Sequence, residues 1–352
     1  MSRARVIWII CGMLALVLAA LSAMAWAQPR LLETDLERLA IARSVGYQPP
    51  VLVDYDSARP RHYFIDMSNI AKGVRKGVYA DPPLDARGVP VVDYATNPVA
   101  GANEPRAYNP ITTAQYGLAL YGEYLNGEDR SLDAFFIQAD WLVENMASDG
   151  GIYYEFDLPG RDLFAPWLSG MAQGQAISVL VRAYYESDDE RYLEAARLAF
   201  EPLSRTFDEG GVMYIDDSGG VWLEEYPEEP PSHVLNGMIF SLFGLYDLMQ
   251  ATGDERVARL FEDVSETLAD NLHRYEQDGW IRYQLTVEEA WARGYYRLHI
   301  SQLLALAALT GDMRFQEAAE KWERPIVAER RWLLERTVVR MLEALGPGNG
   351  GR

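Results

Sequence analysis

A short acidic turn ending in arginine recurs four times along this chain: GEDR at Arg130, DDER at Arg191, GDER at Arg256 and GDMR at Arg314. The arginines stand 61, 65 and 58 residues apart. Each turn follows an apolar run, such as MIFSLFGLYDLMQ or SQLLALAALT, and opens a second helical pattern. The acidic residue two places before each arginine suits an N-cap, where a side-chain oxygen accepts from the unpaired N–H groups of a new helix. An even period of ~60 residues with two helices per unit predicts stacked helical hairpins. With only about four units visible, and polar residues on the inner helices for a cavity to use, the pattern favours a ring over an open solenoid. The predicted fold is therefore mainly α, an α/α toroid made as an incomplete barrel of helical hairpins. A short β-containing segment precedes it. Residues 50–107 are rich in Pro, Gly, Val and Tyr and carry little helical period (VLVDYD, RHYFIDM, VPVVDY), whereas 31–46 reads as one amphipathic helix.

The N-terminus has the form of a targeting segment. Arg3 and Arg5 precede an apolar run from Val6 to Trp26, and Ala25-Trp26-Ala27 makes a small-x-small site. The run is close to the ~20 residues that span a bilayer, so residues 1–27 fit either a cleaved signal peptide or an uncleaved membrane anchor. Both predict an exported protein, periplasmic or otherwise extracytoplasmic. The expected organisation is thus 1–27 for targeting, 28–107 for an N-terminal helix and β-rich segment, and 108–345 for the helical catalytic domain. Cys11 is the only cysteine and lies in the first segment, which leaves the rest without disulfides, a thiolate nucleophile or a cysteine-based zinc site. Lys plus Arg number 32 against 52 Asp plus Glu, a net charge of -20. Such a surface repels phosphates and argues against nucleic acid as a partner.

The four histidines, His62, His233, His273 and His299, have no metal-ligand spacing. No nucleotide or redox motif is present, so no metal or cofactor is expected. Aromatic residues are abundant, with 21 Tyr, 9 Trp and 11 Phe, a composition that suits sugar stacking as well as a core. Three clusters stand out. Ser169 is a natural N-cap for a helix to Tyr184, in which Gly170, Gly174 and Ser178 form a small-residue stripe that Arg182 continues. Glycine inside a helix costs roughly 1 kcal/mol against alanine, so the stripe marks the close approach of another helix or of a ligand. Gln173 and Gln175 are the candidates to face a cleft. In WLEEYPEEPP, Pro227, Pro230 and Pro231 fix Glu224-Glu225-Tyr226 as a non-helical loop before a helix; it is either a catalytic entrance loop or an acidic solvated one. Tyr295, His299 and Gln302 fall at i, i+4 and i+7 on one helical face, which either lines a cavity or holds a core histidine.

Together these clusters resemble the C-terminal domain of D-glucuronyl C5-epimerases, which turn glucuronic into iduronic units in heparosan-type chains. The matching stretches are SGMAQGQAISVLVRAY, LEEYP with VLNGMIFSLFGLYDL, and HISQL at 299–303, with NPITTAQYGLALY at 109–121 as a fourth. The resemblance spans roughly Ala107 to Asp312. It implies an α/α toroid and inversion at C5 without a nucleotide or redox cofactor. One group removes the C5 proton, another returns a proton on the opposite face, and the charge on the substrate carboxylate is met by donors or a cation. Matched position by position, Glu225 and Tyr295 are the acid/base pair, with Tyr226 and Tyr283 assisting. Gln173, Gln175, Arg182, Asn236, Arg293, Arg297, His299, Gln302 and Tyr116 are the expected substrate contacts. Thr286 stands where the family segment has an arginine, and Arg282, Arg293 or Arg297 are candidates to replace it. The resemblance also implies a uronic-acid polysaccharide as partner and pairing into a homodimer. A uronate polysaccharide lyase shares the first chemical step and is the nearest alternative. A non-catalytic glycan-binding protein of polymer assembly or export is the alternative from another class.

Overall fold

The structure, a computed structural model, describes residues 62–78, 80, 83–95, 103–277, 280–286 and 295–323. The targeting segment and the helix expected at 31–46 lie outside the described residues, as does Arg293. The chain divides into two units, of which Pro49–Ala319 is one and holds every helix and strand that is numbered below.

Three of the four recurring turns cap helices as their spacing predicts. The carboxylates of Asp189, Asp254 and Asp312 accept from the backbone N–H groups of Arg191, Arg256 and Arg314 at 3.1, 2.8 and 2.9 Å. The first turn differs. There the N-cap position is Asp129, already in helical conformation and making no side-chain cap. Glu128 occupies the place that aspartate holds elsewhere, and its longer side chain is poorly suited to reach back to the next amides. The capping arginines do a second job. Arg191 reaches Asp140 of the preceding hairpin at 2.7 Å, Arg256 reaches Glu201 at 3.3 Å, and Arg314 reaches Glu266 and Asp270, each at 2.6 Å. Each exposed pair contributes only ~0.2–1 kcal/mol, but the repetition ties each hairpin to the one before it.

The hairpins are α2 (Pro110–Leu125) with α3 (Arg130–Glu144), α4 (Gly170–Ser187) with α5 (Glu190–Ala199), and α6 (Leu235–Thr252) with α7 (Glu255–Asn271). A fourth begins with α8 (Tyr296–Thr310) and continues into a helix from residue 313. The helices α4 and α6 are buried on every side along most of their length, whereas α5 and α7 bury one stripe, the pattern of inner and outer layers. The helix α4 packs against both α2 and α6, and α6 also meets α8. Among the described residues the series does not close into a ring, so the architecture is an incomplete α/α toroid.

The predicted glycine stripe is explained by packing. A Cβ at Gly174 would lie 2.5 Å from the Ser241 Cα, and one at Gly244 would lie 2.2 Å from the Gly174 carbonyl oxygen. Here α4 and α6 touch backbone to backbone, which only glycine allows.

The described residues before the hairpins include helix as well as β structure. They hold a helix, α1 (Ser68–Arg75), and a two-residue ribbon of β1 (Val92–Asp93) with β2 (Arg106–Ala107). The helix has eight residues and buries only Ala71 and Val74, too short a pattern to register as helical period. Packing on α2 and the Arg75–Glu123 ion pair at 2.6 Å hold it. Two further antiparallel ribbons, β3 (Met213–Ile215) with β4 (Val221–Leu223) and β5 (Glu276–Gln277) with β6 (Trp280–Ile281), sit in connections and carry site residues at their ends.

Candidate active site

Strand β4 delivers the chain to the acidic loop, and the loop is tied down on both sides of Glu225. Before it, the Glu224 N–H donates to the Val212 carbonyl at 2.9 Å, and the Gly170 N–H at the start of α4 donates to the Glu224 carbonyl at 2.8 Å. The Glu224 carboxylate is itself buried. It accepts from the His233 N–H at 2.8 Å and meets His233 Nδ1 at 2.5 Å. Glu224 is thus a strut that fixes the far end of the proline-rich loop. The neighbouring Glu225 is the carboxyl that faces the cleft.

Glu225 lines a cleft of about 410 Å³, within the usual range for small-molecule sites. One wall is aromatic: Tyr154 stacks on Trp167 at 3.9 Å, with Phe156, Tyr94 and Tyr226 around them. Polar groups enter from Asn109 at the N-cap of α2, Thr112 and Gln115 on α2, Asn236 on α6 and Tyr295 at the start of α8, between apolar residues such as Ile111, Met171 and Leu298. Glu225 is only 4% exposed, and its Oε2 has no hydrogen-bond partner. Burial pushes its carboxyl up to about 7, against the opposing pull of Tyr226, Arg161 and Tyr283. A carboxyl near pH 7 is suited to both accepting and releasing a proton.

The tyrosines gather around this carboxyl. Tyr283 is brought in because its segment pairs with the loop after the prolines: the Leu235 N–H donates to the Tyr283 carbonyl at 3.1 Å, and the Leu285 N–H donates to the Ser232 carbonyl at 2.9 Å. Its ring lies 4.8 Å from that of Tyr295. Burial, and then the Glu225 charge, push the Tyr226 and Tyr283 phenols well above their ordinary value, which keeps both as proton donors. Tyr295 differs in being 40% exposed. Beneath it lies His299, fully buried, its ring 5.9 Å from the tyrosine and both nitrogens unpartnered. Burial pushes this imidazole down to about 3, so it is neutral.

The cleft therefore unites Glu225, Tyr226, Tyr295 and Asn236, with Tyr283 and His299 against them. The other residues singled out from sequence lie elsewhere. Gln173 is fully buried and braces three backbone groups: it accepts from the Ile152 N–H at 2.8 Å and donates to the carbonyls of Gly150 and Ala199 at 2.9 and 3.0 Å. Gln175 is buried in the interior beside Tyr63. Arg182 is fully buried in an ion pair with Asp247 at 2.6 Å and donates to the His62 carbonyl at 3.0 Å. All three sit on the part of α4 that is buried on every side, where a polar side chain faces only the interior. Tyr116 is buried on α2, and Gln115 takes the cleft position instead. Gln302 holds α8 to α6, donating to the Asn236 carbonyl at 3.1 Å. Arg297 is partly buried, one residue before the cleft-lining Leu298. Arg282 turns away to Gln277 and the Leu285 carbonyl.

Sequence reasoning missed Arg161. It ends the short turn Pro159–Arg161, and its guanidinium carbon lies 3.8 Å over the Tyr226 ring. No local pattern marks it, because its partners are 67 and 123 residues away in sequence. Among the described residues there is no cluster of side chains able to hold a metal ion and no helix long and apolar enough to cross a membrane.

The fold and cleft define a class: an incomplete α/α toroid with a buried carboxyl and several phenols facing a sugar-sized pocket. Residues 146–324 match the family described as D-glucuronyl C5-epimerase C-terminus, and the chain belongs to that family. It is 34% identical over 211 residues to the D-glucuronyl C5-epimerase of Caenorhabditis elegans, covering 54% of this chain and 34% of that protein. It is 28% identical over 172 residues to an uncharacterized protein of Methanocaldococcus jannaschii, covering 48% of this chain and 56% of that one. The chain thus spans about a third of the first relative and just over half of the second. Among solved structures, cellobiose 2-epimerase from Bacillus thermoamylovorans superposes with a TM-score of 0.51 at 11% identity, over 86% of this chain and 88% of that one. That likeness supports the toroid fold alone.

Proposed function

We propose that the chain is a polysaccharide uronyl C5-epimerase, converting glucuronate to iduronate units. The observation that carries this reading is one buried carboxyl, held near pH 7, in the same cleft as the more exposed phenol of Tyr295. The C5 hydrogen of a uronate is α to its carboxylate, so its removal leaves charge that the carboxylate can spread. Glu225 takes that proton as general base. Tyr295 donates its phenolic proton to C5 from the other face, and the configuration inverts. Glu225 is then protonated and Tyr295 a phenolate, and exchange with solvent restores both. The neutral phenols of Tyr226 and Tyr283 are donors for the charge that builds in the intermediate. The aromatic wall of Tyr154 and Trp167 provides a stacking face for a pyranose ring. An extracytoplasmic location belongs to the same reading, supported by the apolar run that follows Arg3 and Arg5.

The test is a panel of uronic-acid polysaccharides incubated with the purified chain in deuterated water. Deuterium entering at C5, with no unsaturated uronate in the ultraviolet, is the expected outcome. Tyr295→Phe is expected to abolish inversion at C5 while polymer binding survives. Unsaturated product would instead indicate a lyase, and polymer binding without exchange would indicate a glycan-binding protein.

A further inference from the structure

We propose that Arg161 is a positioning residue of this site, holding Tyr226 and Tyr283 around Glu225 and supplying the positive charge that the acid/base cluster needs. The inference rests on the epimerase reading for its kinetic arm, and on geometry alone for its titration arm.

Three separate pieces of chain meet at this guanidinium. Its own turn, Pro159–Arg161, runs into Asp162, which holds a left-handed conformation at φ 54. Its Nη1 binds Glu228 Oε1 at 2.5 Å, on the proline-rich loop two residues beyond Tyr226. Its Nη2 donates to Gln284 Oε1 at 3.0 Å, in the residue next to Tyr283. The plane between these two ties lies over the Tyr226 ring at 3.8 Å, within the range of a cation–π contact. One side chain thus fixes a catalytic-loop tyrosine by its face and locks the two segments that carry Tyr226 and Tyr283. A planar guanidinium can make both ties and the stack at once, whereas a lysine ammonium cannot reproduce that fork.

The charge has a distinct consequence. The titratable groups that face it are Glu228, in direct contact, and Glu225, Tyr226 and Tyr283. Arg161 favours the ionised form of Glu225, Tyr226 and Tyr283 alike. Burial alone would drive the Glu225 carboxyl still higher and leave less of it as base at neutral pH. Glu228 offsets part of this cation, so the pair acts as a setting for the cluster. Removing either member shifts the cluster in opposite directions.

The experiment compares wild type with Arg161→Gln, Arg161→Lys and Glu228→Gln. In Arg161→Gln, the acidic limb of the rate of C5 exchange moves up by roughly half to one pH unit, and kcat at pH 6 falls several-fold more than KM rises. In Arg161→Lys the limb stays at its wild-type position while the rate drops, because charge is kept and the stack is lost. In Glu228→Gln the limb moves down. A substrate-free arm follows the Glu225 carboxyl by infrared titration, assigned by subtraction of Glu225→Gln, and shows the same shifts. A folded Arg161→Gln with limb and titration unmoved overturns the proposal. If Arg161→Gln does not fold, an unmoved limb and titration in Glu228→Gln overturn it equally. Absence of exchange on every polymer, with the carboxyl titration shifted as stated, would count against the epimerase reading and leave the role of Arg161 standing.

Discussion

The side chain of Glu225 rests on the bare backbone of Gly237: a Cβ built at Gly237 would lie 2.6 Å from both Cβ and Oε2 of Glu225. Because one of the atoms met is the Glu225 Cβ, rotating the carboxylate away does not relieve the contact, and the loop itself must shift. Gly237→Ala gains roughly 1 kcal/mol of helix propensity, which offsets part of the clash. The expected result is a melting temperature within a few degrees of wild type and a fall in C5 exchange of roughly ten- to a hundredfold, since about 1 Å of misplacement is enough for such losses. Unchanged exchange in a folded Gly237→Ala would show that the position of Glu225 is not critical.

Glu225 should also make stability depend on pH. Its folded value is raised to about 7 from an ordinary 4.5, so the fold favours the neutral carboxyl. That stabilisation is complete below about pH 4.5 and is lost as pH rises through 7. At pH 8 the charged group destabilises the fold by on the order of 3 kcal/mol. Glu225→Gln carries no such charge. It is expected to lack exchange activity yet to melt higher than wild type at pH 8, with the gap narrowing at pH 5. Thermal denaturation at the two pH values checks this, and a gap independent of pH would contradict it.

What the sequence made legible was what is encoded locally. Ser169 caps α4 through the Ala172 N–H, Gly170 and Gly174 mark where α4 meets the acidic loop and α6, and the prolines after Tyr226 isolate Glu225 on a fixed loop. Arg161 was invisible because its turn meets the acidic loop only through the tertiary fold. The polar residues of α4 were misleading for a different reason. Periodicity assigns a face only when one side of a helix meets solvent, and this helix has no such side. Gln173, Gln175 and Arg182 therefore read as cleft residues in sequence and are interior residues in the structure, where Gln173 and Arg182 act as braces.

That distinction is testable at Arg182. Its ion pair with Asp247 is fully buried, so removing the cation alone leaves an uncompensated carboxylate. Arg182→Met is expected to destabilise by roughly 3–5 kcal/mol. The double variant Arg182→Met with Asp247→Leu should recover much of the loss, because both charges are gone. Chemical denaturation of the three proteins measures it, and KM for exchange should match wild type in whichever variants fold. A raised KM would place Arg182 in contact with substrate.

His299 gives the opposite pH dependence to Glu225. Burial holds it neutral, down to about 3 from an ordinary 6.5. An unfolded chain protonates this imidazole below pH 6.5 while the folded one does not. The stability it confers is therefore present above pH 6.5 and lost as pH falls towards 3, by about 3 kcal/mol at pH 4.5. Neither nitrogen has a hydrogen-bond partner, so an apolar ring of similar size forfeits no bond. His299→Phe also keeps an aromatic face beneath Tyr295. The expected outcome in urea denaturation is a smaller loss of stability between pH 7.5 and 4.5 in His299→Phe than in wild type. Every other titrating group is shared by the two proteins, so the difference isolates this residue. An equal loss in both would mean that His299 is protonated in the folded state, and its ring would then be a proton donor beneath Tyr295.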